Sequence, residues 1–421
     1  MRLKTLLALL FIGYCFIATA QEGNTIRELV FEGNKKTKTS FLEKLIKVKV
    51  GHKIDSTKLD ADVLKLRRLD GIVHATYEIE NTLAGAKVTY EVNENFTIIP
   101  NLNLWTVNDQ EVAYRIGLTD FNFLGRNISI GGFYQNNGFN SYGLSFRAPY
   151  LFTNKIGLEL NHLNWSSREP LFFENGSAQY KYTNKSFEAL GLYELNFNNN
   201  FKVGLNYFSE TYNYLEGQTN PRVPRSLKID KWLVKLNYEF NNVVYDYYHL
   251  SGIKNQVFLQ FVTSTNEFQE DFVIAWNDFF YYKRIGKKGN WANRFRFGVA
   301  SNEDSPFAPF SVDNNLNIRG VGNIIDRGTA SLVLNTEYRQ TLIEKGWFIL
   351  QGNAFVDAGS WRNPGGDFSD FWDVDNVRVY PGVGLRFIHK RIYNAIFRID
   401  YGYGITEGAS RGIVFGIGQY F

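Results

Sequence analysis

Cysteine and methionine are nearly absent from this chain, one of each, and only nine of its 421 residues are proline. The single cysteine, Cys15, lies in an N-terminal apolar run, so the rest of the chain can form no disulfide and no thiolate metal site. Charge of either sign is scarcely in excess: the formal net charge of +4 points to no nucleic-acid or acidic-substrate partner. Past residue 20 no apolar run approaches the ~20 residues that a membrane helix needs, so any entry of the mature chain into a bilayer must be by strands. Catalytic patterns are missing as well. His52, His74, His162, His249 and His389 are scattered without metal-ligand spacing. No G-x-S-x-G or Walker-type loop occurs, and the short Gly-x-Gly fragments fall in strands or turns. We therefore expect no catalytic residue, no metal and no cofactor, and no enzymatic activity.

Aromatic residues, at 16%, and 37 glycines are abundant, a balance unlike that of an average cytosolic enzyme. The first 20 residues carry Arg2 and Lys4, then about 15 mostly apolar residues, then Ala18-Thr19-Ala20, the three-part pattern of a cleaved signal peptide. Bulky Tyr14 argues against the alternative of a lipoprotein leader. From residue 24 to 95 the chain reads as a small α/β module in the order strand, helix, helix, strand, strand. Phe41, Leu42, Leu45 and Ile46 share one helical face, with Thr39 or Ser40 placed to cap it. Leu59, Val63, Leu66 and Leu69 mark a second helix that starts at Asp55 or Ser56 and ends at Gly71.

From residue 96 to 421 the helical period gives way to alternating segments of roughly ten residues closed by Asn, Gly, Asp or Ser. Phe295, Phe297 and Val299 oppose Arg294 and Arg296; Phe397, Ile399 and Tyr401 oppose Arg398, Asp400 and Gly402. The second face is too charged for a dry core, and the pattern predicts a transmembrane β-barrel with an apolar outside and a polar lumen. At roughly 20 residues per strand with its connection, the segment allows about 16 strands. A soluble propeller or large sandwich fits less well, because no blade repeat of about 40 residues is present.

A signal peptide, one such module and a barrel of this size resemble the outer-membrane insertase superfamily, the BamA and TamA proteins and their two-partner-secretion relatives, whose periplasmic modules are POTRA domains. "LRRLDGIVHATYEIE" is similar to the second helix and second strand of a POTRA domain, and "LTDFNFLGRNISIGG" to an early barrel hairpin of the family. The family carries a V/I-R-G-F/Y tip on a long loop between strands 11 and 12 that folds into the lumen. Ile318, Arg319 and Gly320 match that tip within a segment from about 302 to 328. Phe355, Asp357 and Gly359 match the family's F-x-D-x-G motif on the next strands, with "EYR" between them and "PGVGLRF" after them. Val321 departs from the family, which has an aromatic there.

Strand phase, taken without the resemblance, places Gln351, Asn353, Phe355, Asp357 and Gly359 on the lumenal face, and Asn335, Glu337 and Arg339 likewise. Arg319 is thus expected to tie the loop to Asp357 or Glu337. The resemblance further implies an imperfect seam between the first barrel strand (Ile98, Leu102, Leu104) and the last (Ile413, Phe415, Phe421). The expected work is outer-membrane protein assembly: insertion of β-barrel client polypeptides in the outer membrane of a Gram-negative bacterium, with the POTRA domain in the periplasm. The expected partners are unfolded or nascent outer-membrane or secreted polypeptides, periplasmic or lipoprotein accessory subunits, and the lipid bilayer, with no nucleic acid. A secretion pore of the two-partner type and a passive channel are the alternatives.

Overall fold

The computed structural model describes residues 25–106, 112–173, 176–219, 221, 223–246, 248–264, 270–305, 308–312, 317–321, 326–390, 392 and 395–421. The leader expected at residues 1–20 lies outside the described residues, as do residues 306, 307, 313–316 and 322–325 of the loop segment. The chain divides into two compact units.

The first unit contains β1 (Ile26–Glu32), α1 (Thr39–Leu45), α2 (Ser56–Arg67), β2 (Ile72–Thr82) and β3 (Gly85–Glu94). Its sheet has the order β1-β3-β2, with β1 parallel and β2 antiparallel to the central β3. The apolar stripes of both helices are buried, Leu42, Leu59 and Leu66 completely. Asp55 caps α2 by accepting from the Lys58 amide at 3.2 Å. The cap expected for the first helix differs: Lys38 holds that position without a side-chain bond, and Thr39 is already helical. Two carboxylates fix the loops. Buried Asp62 accepts from the amides of Lys47 and Val48 at 2.7 and 3.0 Å and from the Tyr90 hydroxyl at 3.1 Å. Glu94 accepts from the amides of Lys35, Lys36 and Thr37. Burial pushes the Glu94 carboxyl up, but these donors outweigh it and hold it below the usual carboxylate range.

The second unit is a closed, consecutively antiparallel barrel. Its strands are β4 (Ile98–Thr106), β5 (Val112–Phe123), β6 (Ile128–Asn136), β7 (Asn140–Ala148), β8 (Ile156–Phe173), β9 (Gly176–Asn196), β10 (Asn199–Gly217) and β11 (Ser226–Asn241). The short β12 (Val244–Asp246) follows β11 beside β13 (His249–Ser264); next come β14 (Phe272–Ile285) and β15 (Gly289–Ala300). A two-stranded hairpin, β16 (Phe310–Val312) and β17 (Asp326–Gly328), stands apart from the wall. The wall resumes with β18 (Ala330–Lys345), β19 (Phe348–Arg362), β20 (Val377–His389), β21 (Ile396–Tyr403) and β22 (Arg411–Ile417), which closes on β4. Counting β12 with β11, sixteen staves form a transmembrane barrel.

The alternation seen in the sequence sorts side chains as expected. Val203, Leu205, Phe295 and Phe415 lie exposed on the outer face, whereas Arg294, Asp278, Glu337 and Asp357 are buried inside. The inner charges are paired, as a polar group away from water requires: Arg294 Nε lies 3.0 Å from Asp278.

Two expectations need correction. Strands of roughly ten residues are too short for one side of the wall, where β8, β9 and β10 run 18, 21 and 19 residues. Phe421, expected in the last strand, lies beyond it. β22 ends at Ile417 because Gly418 adopts φ +91°, a conformation that ordinary side chains resist, and its amide turns to donate to the Ile396 carbonyl at 2.7 Å. Ile98 and Leu102 in β4 and Ile413 and Phe415 in β22 are exposed on the outer face. Leu104 pairs with Tyr114 of β5 through its backbone, and its side chain lies outside what is described.

Candidate functional site

The β16–β17 hairpin carries residues 317–321 into the lumen, where Ile318, Arg319 and Val321 are all buried. Asp357 of β19 takes three bonds from Arg319: the backbone amide at 3.0 Å and Nε at 2.8 Å both reach Oδ2, and Nη2 reaches Oδ1 at 2.9 Å. The side-chain pair is bidentate, the geometry in which a guanidinium binds a carboxylate best. Nη1 bonds Glu337 of β18 and lies 3.6 Å from Asp400 of β21. One arginine therefore meets carboxylates from three staves.

These carboxylates belong to a wider network. Arg386 of β20 donates through Nη2 to both Glu337 oxygens, at 2.8 and 2.9 Å, and through Nη1 to Asp400 and Asn353 at 3.0 and 2.7 Å. Arg339 donates to Glu337 as well. Each side chain of the Arg319, Glu337, Asp357, Asp400, Arg339 and Arg386 set is buried completely, so the charges meet one another rather than water.

The motif residues beside the charges have packing reasons. The Arg319 guanidinium lies 3.5 Å from the Phe355 ring centroid, a cation–π contact. A Cβ on Gly382 would fall 2.1 Å from that ring, so this glycine gives Phe355 its place. At Gly359 a Cβ would meet Ile318 at 2.7 Å and Val312 at 2.9 Å. Gly320 has φ +98°, and its backbone rests on Gly402 of β21; a Cβ would stand 2.7 Å from the Gly402 carbonyl oxygen. Ser410 donates its hydroxyl to the carbonyls of Gly320 and Val321 at 3.1 and 2.6 Å. Val321 packs with Val312, Ile318, Trp361 and Tyr380, so the aromatic bulk at this place comes from the wall.

The last residues complete the site. Tyr420 lies 4.5 Å from the Arg319 guanidinium and 4.9 Å from that of Arg398. Gln419 accepts from Arg386 Nε at 3.0 Å, and the Phe421 carbonyl from Arg339 Nη2 at 3.1 Å. Phe421 packs on the inward cluster of Val243, Phe280, Tyr282 and Ala292. Strand phase brings Glu337 and Asp357 to Arg319; it does not single out Tyr420, Ser410 or Tyr380. A usable signal existed for Arg386 and Asp400, which are charges on the inward phase of neighbouring strands.

Residues 24–95 match the family described as POTRA, surface antigen variable number repeat. Over 94% of this chain and 84% of its own, the structure of BamA from Haemophilus ducreyi lacking POTRA domains 1-3 is similar, with 18% identity and a TM-score of 0.59. This is a single-POTRA chain with the BamA-type fold. CdiB from Acinetobacter baumannii shares that fold at 13% identity and a TM-score of 0.62, over 94% of this chain and 73% of its own. CdiB from Escherichia coli does so at 10% identity and a TM-score of 0.64, over 94% and 76%. In the BamA-type barrel of this chain, the loop anchor spans β18, β19 and β21, and the last three residues lie against it.

Proposed function

We propose that this chain works in the outer membrane of a Gram-negative bacterium, its POTRA domain in the periplasm, and inserts β-barrel client polypeptides. The observation that carries the reading is the length of the closing strands. β22 has 7 residues and β21 has 8, against 16 to 21 in β8 to β11. Seven residues tilted at about 40° rise only ~18 Å, less than the ~25 Å apolar band of an outer-membrane barrel. β4 has 9 residues, so β22 is too short to pair along its whole length. Backbone donors and acceptors left without a partner in lipid cost several kcal/mol each, and a client strand that pairs with them removes that cost. In the POTRA sheet β2 is an edge strand, and an extended client segment can add to it by main-chain bonds. The work is non-enzymatic; the client's own folding free energy drives it.

Depletion of the protein followed by outer-membrane proteomics tests this. Broad loss of barrel proteins is the expected result. Loss of a single exported protein would instead favour passage of polypeptide through the lumen, and altered solute uptake with an unchanged proteome would favour a passive channel. A disulfide scan between residues 101–103 of β4 and Gly412 or Ile413 of β22 adds an independent arm: locking the seam should abolish insertion, and full activity when locked refutes the lateral route.

A further inference from the structure

The outer wall of β9, β10 and β11 can be read row by row from the strand register. Tyr193, Phe201 and Tyr238 form one aromatic row, with the Phe201 and Tyr238 centroids 5.0 Å apart. Above it stand Gly191, Val203 and Leu236, then Ala189, Leu205 and Val234, and then a second aromatic row of Phe187, Tyr207 and Trp232. Tyr207 and Trp232 are again 5.0 Å apart. Six residues separate the aromatic rows, ~20 Å along the strand and ~15 Å in height at a tilt of about 40°; exposed Leu195 continues the apolar surface below the first row, and the second row marks the other edge of the apolar band.

Beyond the second aromatic row, toward the end that carries the long loops, the outward positions change character at once. The next row is Lys185, Ser209 and Asp230, and the one after it Thr183, Thr211 and Lys228. These residues line a cavity of about 280 Å³ whose floor is Tyr207. Lys185 and Lys228 are exposed and, among the described residues, have no acidic partner. Other cations nearby have partners of their own: Lys231, facing inward, lies 2.6 Å from Glu210, Arg168 lies 2.7 Å from Glu216, and Lys181 and Arg225 lie over the rings of Phe139 and Tyr214. Strand spacing and rise put the Lys185 and Lys228 backbones ~12 Å apart, within reach of one group for two four-carbon stems.

We infer that this cavity binds the phosphorylated sugar headgroup of an outer-leaflet glycolipid. The two ammonium groups and the Ser209, Thr211 and Thr183 hydroxyls suit phosphate oxygens, and the Asp230 carboxylate suits a sugar hydroxyl. The aromatic row directly below meets the start of the acyl chains, which fixes a lipid, rather than a free anion, as the occupant. The inference rests on the outer-membrane reading, which density-gradient fractionation tests by itself.

The binding test uses the full chain in neutral detergent and native mass spectrometry with three probes: diphosphoryl lipid A, its dephosphorylated form, and inorganic phosphate. The wild type should retain one diphosphoryl lipid A. The Lys185→Gln/Lys228→Gln variant should retain at least ~10-fold less at equal lipid concentration, with unchanged mobility of the folded barrel on unheated gels. Dephosphorylated lipid should bind as weakly to the wild type as the phosphorylated lipid does to the variant. Equal retention by wild type and variant, equal retention of the two lipids, or full displacement by inorganic phosphate each overturns the inference.

Discussion

Replacing Arg319 with alanine isolates the loop anchor, and the structure indicates where the loss falls. Glu337 keeps Arg339 and Arg386 as partners when Arg319 is removed. Asp357 has no other cation among the described residues: its two bonds from the guanidinium, at 2.8 and 2.9 Å, go with the side chain, and only the bond from the residue 319 backbone amide, at 3.0 Å, stays. The variant therefore buries the Asp357 carboxylate without its counter-charge, and breaking a buried ion pair in this way costs about 3–5 kcal/mol. At ~1.4 kcal/mol per tenfold, local release of the loop should become about 150- to 4,000-fold more frequent. Hydrogen exchange of residues 317–321, followed by mass spectrometry on protein in vesicles, reads this directly. Arg319→Lys should fall between, because an ammonium cannot chelate Asp357 through two nitrogens while reaching Glu337. An increase below about tenfold for Arg319→Ala would refute the view that this pair holds the loop; so would equal exchange in the alanine and lysine variants.

Other perturbations separate the remaining contributions. Gly320→Ala and Gly402→Ala should also release the loop, because the new Cβ would lie 2.7 Å from one backbone atom and 2.2 Å from another, whereas at Gly359 alanine meets only side-chain ends and should change exchange less. Tyr420→Ala removes the ring from Arg319 and Arg398, a contact worth about 0.5–2 kcal/mol, and should raise loop exchange ~2- to 30-fold without shortening β22. In the POTRA domain the Glu94 carboxyl is held below its ordinary value, so its contribution is complete above the unfolded carboxylate range and is lost as pH falls through the lowered value. Urea unfolding at a series of pH values, read by pulse labelling of β3 at one fixed pH, should show that acid loss, and Glu94→Gln should flatten it.

Much of this architecture was legible because a strand has a period of two. Once the apolar face of β18 and β19 was assigned to lipid, Glu337 and Asp357 had to point toward the segment containing Arg319. What was not legible depends on contacts distant in sequence. Nothing local distinguishes Val321 from a weakened anchor; its packing on Trp361 and Tyr380 does. The alternation of "IVFGIGQYF" runs through Gly418 without a break, and only the partners of Gln419, Tyr420 and Phe421 inside the lumen explain why the strand stops. The length of β9 and β10 was hidden because their outer polar rows do not read as lipid-facing wall.

Tyr420 sits on the same guanidinium that Asp357 grips, three residues beyond the strand that closes the barrel. Any free energy by which the seated loop stabilises those last residues is, by reciprocity, the free energy by which they stabilise the loop. Seating of the loop and seating of residues 419–421 are then two readings of one equilibrium: a ligand that holds the loop in place makes those residues harder to free by the same factor by which freeing them weakens that ligand.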